Sequence, residues 1–366
     1  MKILHLSAAR SWRGGEQQLA YLAEELAGRQ VEQLVFCPVG SKMETWCRET
    51  GIPVQTFRKG FSLNPLVALQ LRGLWRKNDI QLIHVHDNHA HTFAWLAAVL
   101  FGNKPPIIVS RRVDFSIRKS RLSMAKYLHP KIARILCVSE AIRQIVLQDF
   151  PDPQKVQVVY SGINPDRFKK SPKGQLREEL GLKQEQILIG NVAAIAPHKD
   201  YFTFVETAEI LLKKGLDVRF LIIGGDGGEE AIIRETILKK GLENQILLLG
   251  FRQDIPELLA ELDLLLFTSK TEGLGTSLLD ALASGLPIVA TRGGGIPEII
   301  RHGETGLTAE VGDAPALARL VLQMLTDTDL RAKLIAGGLD LVQSFSKSNT
   351  AAATQEIYEA VCKEGE

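Results

Sequence analysis

Short runs rich in Val, Ile and Leu alternate with longer segments of helical spacing along nearly the whole chain, and the alternation breaks only once. Such a pattern predicts successive βα units and hence parallel sheets covered by helices. Strands are expected at 2–8, 32–37, 80–85, 106–110, 133–139 and 156–160, with helices at 17–27, 66–77, 92–101 and 141–149. The second series places strands at 187–192, 217–223, 245–249, 262–267 and 286–291, and helices at 202–214, 229–240, 255–260 and 277–284. The break lies at 161–174, where Gly162, Pro165, Pro172 and Gly174 sit among polar residues. A length of 366 residues is also more than one core fills well. The expected organisation is therefore α/β with two domains, 1–170 and 171–345. In the terminal segment 346–366, Ala353, Ile357 and Val361 share one helix face, which is expected to pack back on the first domain. Ligands of open parallel sheets bind beyond the carboxyl ends of the strands, so two such edges facing one another would form a cleft.

Composition narrows the setting. The longest apolar run, residues 93–101, is nine residues long, whereas a membrane-crossing helix needs about twenty. No signal-peptide pattern is evident at the start, and Cys37, Cys47, Cys137 and Cys362 lack paired ligand spacing, so a reducing cytoplasmic location is expected. Residues 1–170 carry 25 Lys and Arg against 13 Asp and Glu, while 171–366 carry 19 against 29. The basic half is expected to meet something anionic. Residues 111–134 concentrate this excess in Arg111, Arg112, Arg118, Lys119, Arg121, Lys126, Lys131 and Arg134 against Asp114 alone, with Leu122, Met124 and Tyr127 interleaved. Contact with an anionic membrane follows as an expectation; nucleic acid is disfavoured because no binding module accompanies the charge.

Several turns could hold phosphate. Gly14 and Gly15 follow the first strand and precede a helix expected near Glu16, where unpaired amides and the helix dipole favour an anion. The segment 224–229, GGDGGE, repeats that placement, but Glu230 stands where a dinucleotide fingerprint needs its third glycine. His84, His86, His89 and His91 invite a metal reading that their spacing argues against; His86, at a strand end beside Asp87, is better read as a hydrogen-bonding group. The strongest run is 268–300, TSKTEGLGTSLLDALASGLPIVATRGGGIPEII. There Glu272 lies in a loop, and backbone amides at Gly275, Thr276 and Ser277 can receive a diphosphate. A glycosidase pair of Glu272 and Asp280 is disfavoured, because eight helical residues rise about 12 Å.

The run from Glu272 to Ile300, followed by HGETGL at 302–307, resembles the donor site of retaining glycosyltransferases of family 4, which have the B-type fold of two Rossmann-like domains. The resemblance extends through VSEAIRQ at 138–144, VVYSGINPDRF at 158–168, PHKD at 197–200 and LGFRQDIPELLAELD at 249–263. It implies that Glu272 binds the transferred sugar, that Lys199 neutralises the donor diphosphate, and that Gly15 lets phosphate approach the first domain. Asp280 stands where the family has a ribose-binding Glu, and Ala194 where it has an arginine partner of Lys199, so compensation is expected from Arg292, Arg252 or an arginine of the other domain. Arg111 and Arg112 replace a family histidine, making Arg112 a candidate cation at the sugar or acceptor. Phe251 or Arg252 is expected beside the nucleobase, and Gly225, Gly273 and Leu274 complete the expected donor contacts with Gly14. The implied activity is metal-independent, retaining transfer of a sugar from a nucleotide diphosphate donor to a glycan or glycolipid hydroxyl, without a cofactor. The competing reading is a noncatalytic nucleotide-sugar sensor or scaffold.

Overall fold

The computed structural model describes residues 1–61, 63–102, 105–169, 175–183 and 185–364, and of Lys119 the backbone only. In chain order, the first half runs β1 (Lys2–Leu6), α1 (Gly14–Gly28), β2 (Glu32–Pro38), α2 (Lys42–Thr50), β3 (Val54–Phe57), α3 (Pro65–Lys77), β4 (Leu82–Val85), α4 (Asn88–Phe101), β5 (Ile107–Arg111), α5 (Arg121–Tyr127), β6 (Ile132–Cys137), α6 (Glu140–Leu147) and β7 (Val156–Val158). The second runs α7 (Gln175–Glu179), β8 (Ile187–Val192), α8 (Tyr201–Lys213), β9 (Val218–Ile223), α9 (Glu230–Lys239), β10 (Ile246–Gly250), α10 (Ile255–Glu261), β11 (Leu264–Phe267), α11 (Thr276–Ala283), β12 (Ile288–Thr291), α12 (Ile296–Ile299), β13 (Leu307–Ala309), α13 (Ala314–Thr326) and α14 (Thr328–Ser344), before α15 (Lys347–Lys363). The chain forms two compact units, one of Met1–Gly162 with Lys347–Glu366, the other Ile163–Ser346. The expected break between 170 and 171 lies outside the described residues.

Among the described residues the strands form two parallel sheets, ordered β3-β2-β1-β4-β5-β6-β7 and β10-β9-β8-β11-β12-β13. In each, chain order reverses once, between β1 and β4 and between β8 and β11; such a reversal leaves a crevice beyond the strand carboxyl ends. The alternation pattern missed α2 and β3. The helix buries only Met43 and Cys47, and β3 is a four-residue edge strand, so neither writes a strong period.

The second unit's core is built on Phe220 and Ile222 of β9 with Phe204 and Val205 of α8, and β12 and β13 meet α13 through Val289, Leu307 and Leu317. In the first unit, α15 lies against α1, with Tyr358, Ala351 and Val361 packed among Ile3, Leu22 and Leu26. Its fully buried stripe is Ala351, Thr354, Tyr358 and Val361; the expected Ala353 and Ile357 sit at its flank. Burial of one such large side chain is worth about 1.5–3 kcal/mol.

The basic segment 111–134 is not exposed along its whole length. Arg111 is buried, donates from Nη1 to the Tyr127 hydroxyl at 3.1 Å and stacks over the Phe115 ring. Lys126 is also buried, donating to Asn88 Oδ1 at 2.7 Å and Thr92 Oγ1 at 3.0 Å. Tyr127 lies in the interior, so it is unavailable to a membrane.

Candidate functional site

In the second unit, the loops leaving β8 and β11 meet beyond the point where strand order reverses. Lys199 ends a tight turn, Pro197–Lys199, after β8, and Glu272 lies between β11 and α11. Thr268 Oγ1 donates to the carbonyls of Lys199 and Asp200 at 3.1 Å each, and the Lys270 amide donates to the His198 carbonyl at 2.8 Å. These bonds bring Lys199 Nζ within 2.5 Å of Glu272 Oε1, which also accepts from Ser269 Oγ at 2.6 Å. The two charged side chains are only 14% and 10% exposed and face one another directly across the loops. Ser269 was a functional partner that sequence reasoning passed over, although it stands three residues before Glu272.

Three glycines hold this loop from behind. A Cβ on Gly293 would sit 2.3 Å from the Lys270 carbonyl oxygen, and one on Gly295 2.5 Å from that of Gly273. Gly294 has φ +59 and would place a Cβ 2.4 Å from the Glu272 carbonyl oxygen. Gly294→Ala should therefore cost about 2–4 kcal/mol of stability, combining a left-handed backbone with overlap. Gly241 has a similar φ of +66 but no atom within 4 Å of a Cβ, so Gly241→Ala should cost only about 1 kcal/mol, the backbone part. Denaturant unfolding compares them, and equal losses would remove the close approach as the reason for glycine.

The 224–229 turn also acts by packing. A Cβ on Gly224 would sit 1.9 Å from the Ala193 carbonyl oxygen, and one on Gly227 2.8 Å from Ala196 Cβ, while Gly227 and Glu229 amides donate to the Ile195 carbonyl. The turn thus buttresses the segment that leads into Lys199. Gly225 lies beside Phe251, which is 69% exposed just after β10.

The other expected donor contacts are less uniform. Gly275 opens α11 with φ 87, and the first amides of that helix have no helical carbonyl to bond. Thr276 and Ser277 are half-buried, but the Leu274 side chain is buried, which leaves only its backbone for a ligand. Burial pushes the Asp280 carboxyl up to about 7 against the opposing charge of Arg167. Arg252 departs from expectation: its guanidinium is taken up by Glu179 at 2.7 Å and Asp254 at 2.6 Å. Arg292 pairs with Glu310 at 2.9 Å, so neither arginine is a free substitute at Ala194. Lys270, exposed on the same loops, has a longer ion pair, 3.6 Å to Asp200, than either arginine.

In the first unit, the loops after β1 and β4 likewise flank the reversal of strand order. α1 opens at Gly14, where the Arg13 amide donates to Glu16 Oε2 at 3.0 Å, and a Cβ on Gly15 would meet nothing within 4 Å. Asp87 joins the two loops by accepting from the Ala8 amide at 2.5 Å and capping α4 through the His89 and Ala90 amides. Arg112 Nη1 donates to the His86 carbonyl at 2.8 Å.

His86 belongs to a buried group that the histidine spacing did not reveal. Register pairs His5 of β1 with His84 of β4, and His86 follows two residues later on the same face. Their ligand atoms lie within 4.8 Å of one another, the sole metal-like grouping found among the described residues. Internal bonds already occupy it, however. His84 Nδ1 is hydrogen-bonded to the Tyr358 hydroxyl at 2.5 Å and Nε2 to Ser110 Oγ at 2.8 Å, while His5 Nδ1 meets His86 Nε2 at 3.1 Å. Burial pushes all three imidazoles down, His5 to about 3, and the Arg112 charge further opposes a cation at His84 and His86. The trio reads as a neutral hydrogen-bonded network, with His5 Nε2 and His86 Nδ1 left buried and unpartnered.

Comparison with known proteins agrees with this geometry. The model for Glycosyltransferase Family 4 matches residues 12–167, and that for Glycosyl transferases group 1 matches 172–339. The 2-deoxystreptamine glucosyltransferase of Streptomyces kanamyceticus is 30% identical over 319 residues, 80% of either chain. The N-acetyl-alpha-D-glucosaminyl L-malate synthase of Bacillus anthracis is 28% identical over 273 residues, 73% of this chain and 71% of that one. Among solved structures, HepE of Anabaena in complex with UDP-glucose has a TM-score of 0.85 at 25% identity, covering 98% of this chain and all of its own. Family matches on both halves, a relative aligned along most of its length and the two parallel sheets together place the chain in the family 4 glycosyltransferases of B-type fold, and the protein is a glycosyltransferase.

Proposed function

We propose that the protein transfers a sugar with retention from a nucleoside diphosphate donor, bound by the second unit, to a hydroxyl of a glycan or glycolipid engaged by the first. The observation that carries this reading is the Lys199–Glu272 pair, held at a reversal of strand order beside the head of α11. Lys199 and the α11 amides would take the diphosphate, Lys270 would supply the charge missing at Ala194, and Glu272 would hold the sugar. HepE's complex with UDP-glucose supports a uridine diphosphate sugar as the first donor to test. In the reaction, the bond between the sugar C1 and the diphosphate oxygen breaks while the acceptor oxygen bonds C1 on the same face. The acceptor proton passes to the departing diphosphate. The protein's contribution is orientation and charge stabilisation by fixed cations and amides, with no metal ion assigned a role.

The test is a thermal-shift series with nucleoside diphosphates and their sugars, followed by donor hydrolysis and transfer assays with excess chelator present. A donor at a hundred times its Kd should stabilise the fold by about 2.7 kcal/mol. Transfer should survive the chelator; activity lost and restored only by a divalent ion would overturn the assignment of the charge to Lys199 and the amides. Binding without hydrolysis or transfer would instead identify a sensor.

A further inference from the structure

The residue after Lys199 has a backbone conformation that its type rarely adopts. Asp200 has φ +51. Gln30 and Asp79, the other non-glycine residues with positive φ among the described residues, are exposed and follow the ends of α1 and α3, where a left-handed residue closes a helix. Asp200 instead precedes α8 and is only 4% exposed. Glycine would make this turn without strain. Aspartate commonly starts a helix by capping it, but the Asp200 carboxylate takes no amide of α8. Neither the turn nor a cap accounts for the side chain, and strained residues of this kind cluster where a site requires them.

The carboxylate has other partners. Oδ2 accepts from Thr203 Oγ1 at 2.8 Å, and Oδ1 faces Lys270 Nζ at 3.6 Å, the one cation paired with it among the described residues. The Lys270 backbone is fixed independently, its amide on the His198 carbonyl and its own carbonyl close against Gly293. Its side chain is long and exposed, so without a partner it would sample many rotamers. Thr203 thus holds a buried anion, and the anion holds a flexible cation on the loops that carry Lys199 and Glu272. We propose that Asp200 is a positioning residue, which directs the Lys270 ammonium to the donor diphosphate without touching the donor itself. An ammonium has three protons, so one can stay on Asp200 while the others meet phosphate oxygens. The inference rests on the reading above in which Lys270 supplies the charge missing at Ala194. Loss of Asp200 should fall on rate rather than on binding. Its negative charge opposes the diphosphate, so removing it offsets whatever attraction a wandering Lys270 gives up. What disappears is a cation fixed in place as the leaving group departs.

The test measures UDP affinity and UDP-glucose turnover in wild type, Asp200→Asn, Lys270→Ala and the double variant. Asn tolerates left-handed backbone and its carbonyl keeps the Thr203 bond, so the loop stays folded. Asp200→Asn should lower kcat about tenfold with UDP affinity equal or higher. Lys270→Ala should lower both, and adding Asp200→Asn to it should change kcat by less than about twofold. Asp200→Gly, which suits the backbone better than Asp, should lose turnover as the Asn variant does. The proposal falls if the Gly variant turns over like wild type, which would leave the residue to the turn alone. It falls too if the tenfold loss recurs in the Lys270→Ala background, or if UDP affinity drops together with kcat in Asp200→Asn, as a collapsed loop would cause. Lys270→Ala with wild-type affinity and turnover is a different failure: it removes Lys270 from the diphosphate, and Asp200 then has nothing to position. Absence of UDP binding to wild type would strike the uridine donor reading first, and this one with it.

Discussion

Glu272→Gln should leave the second unit folded and donor bound while lowering transfer at least about a hundredfold, equivalent to about 3 kcal/mol of transition-state stabilisation. The amide is nearly isosteric, and its carbonyl can still accept from Ser269 and Lys199, so the loop keeps its hydrogen bonds. What it removes is the negative charge that Lys199 faces across 2.5 Å and the second acceptor oxygen proposed to hold the sugar. Lys199 then binds the donor diphosphate without a competing carboxylate, so donor affinity should hold or rise while turnover falls. That split between binding and rate marks an interaction needed to orient the reacting sugar. Near wild-type turnover, with the donor shown by thermal shift to be bound, would remove Glu272 from the site.

The parts of the site that were legible in the sequence are those written in one continuous stretch. Glu272, the glycines after it and the head of α11 all fall within one βα turn, where strand period, glycine and helix start can be read together. The role of Gly293–Gly295 was not legible, because the backbone that a Cβ would strike, 270–273, is separated from it by α11 and β12. The same holds for Gly224 and Gly227, read first as a phosphate turn and found packed on residues 193–196. His5, His84 and Tyr358 meet only because β1 and β4 are adjacent in the sheet and α15 returns to the first unit, a relation no local period contains. The burial of cations within the basic segment was hidden for a different reason. Counting charges along the sequence ignores facing, and Arg111 at the end of β5 and Lys126 on α5 point inward to aromatic and polar partners.

Acid should unfold the first unit well before carboxylate protonation alone would do so. Burial depresses His5 and His91 to about 3 and leaves His84 and His86 well below the ordinary histidine range, all in the first unit. Above pH 6.5 both folded and unfolded chains hold these rings neutral. Below it the unfolded chain takes up protons that the folded one refuses, so stability falls as pH drops from 6.5 towards 3. Each ring costs up to about 1.4 kcal/mol per pH unit, so several such rings in one unit make its decline steep. In the second unit Asp280 works in the opposite direction. Its raised carboxyl contributes stability that is present below about pH 4 and lost as pH rises through about 7. Calorimetry at successive pH values should therefore show one transition moving sharply to lower temperature on acidification while the other moves less. His91 provides the control, since its ring packs edge-on against Tyr127 at 4.7 Å. His91→Phe keeps that packing and removes one titrating group, so the pH slope of the labile transition should become shallower by about 1.4 kcal/mol per unit. An unchanged slope would mean that the buried histidines take up their protons in the folded state.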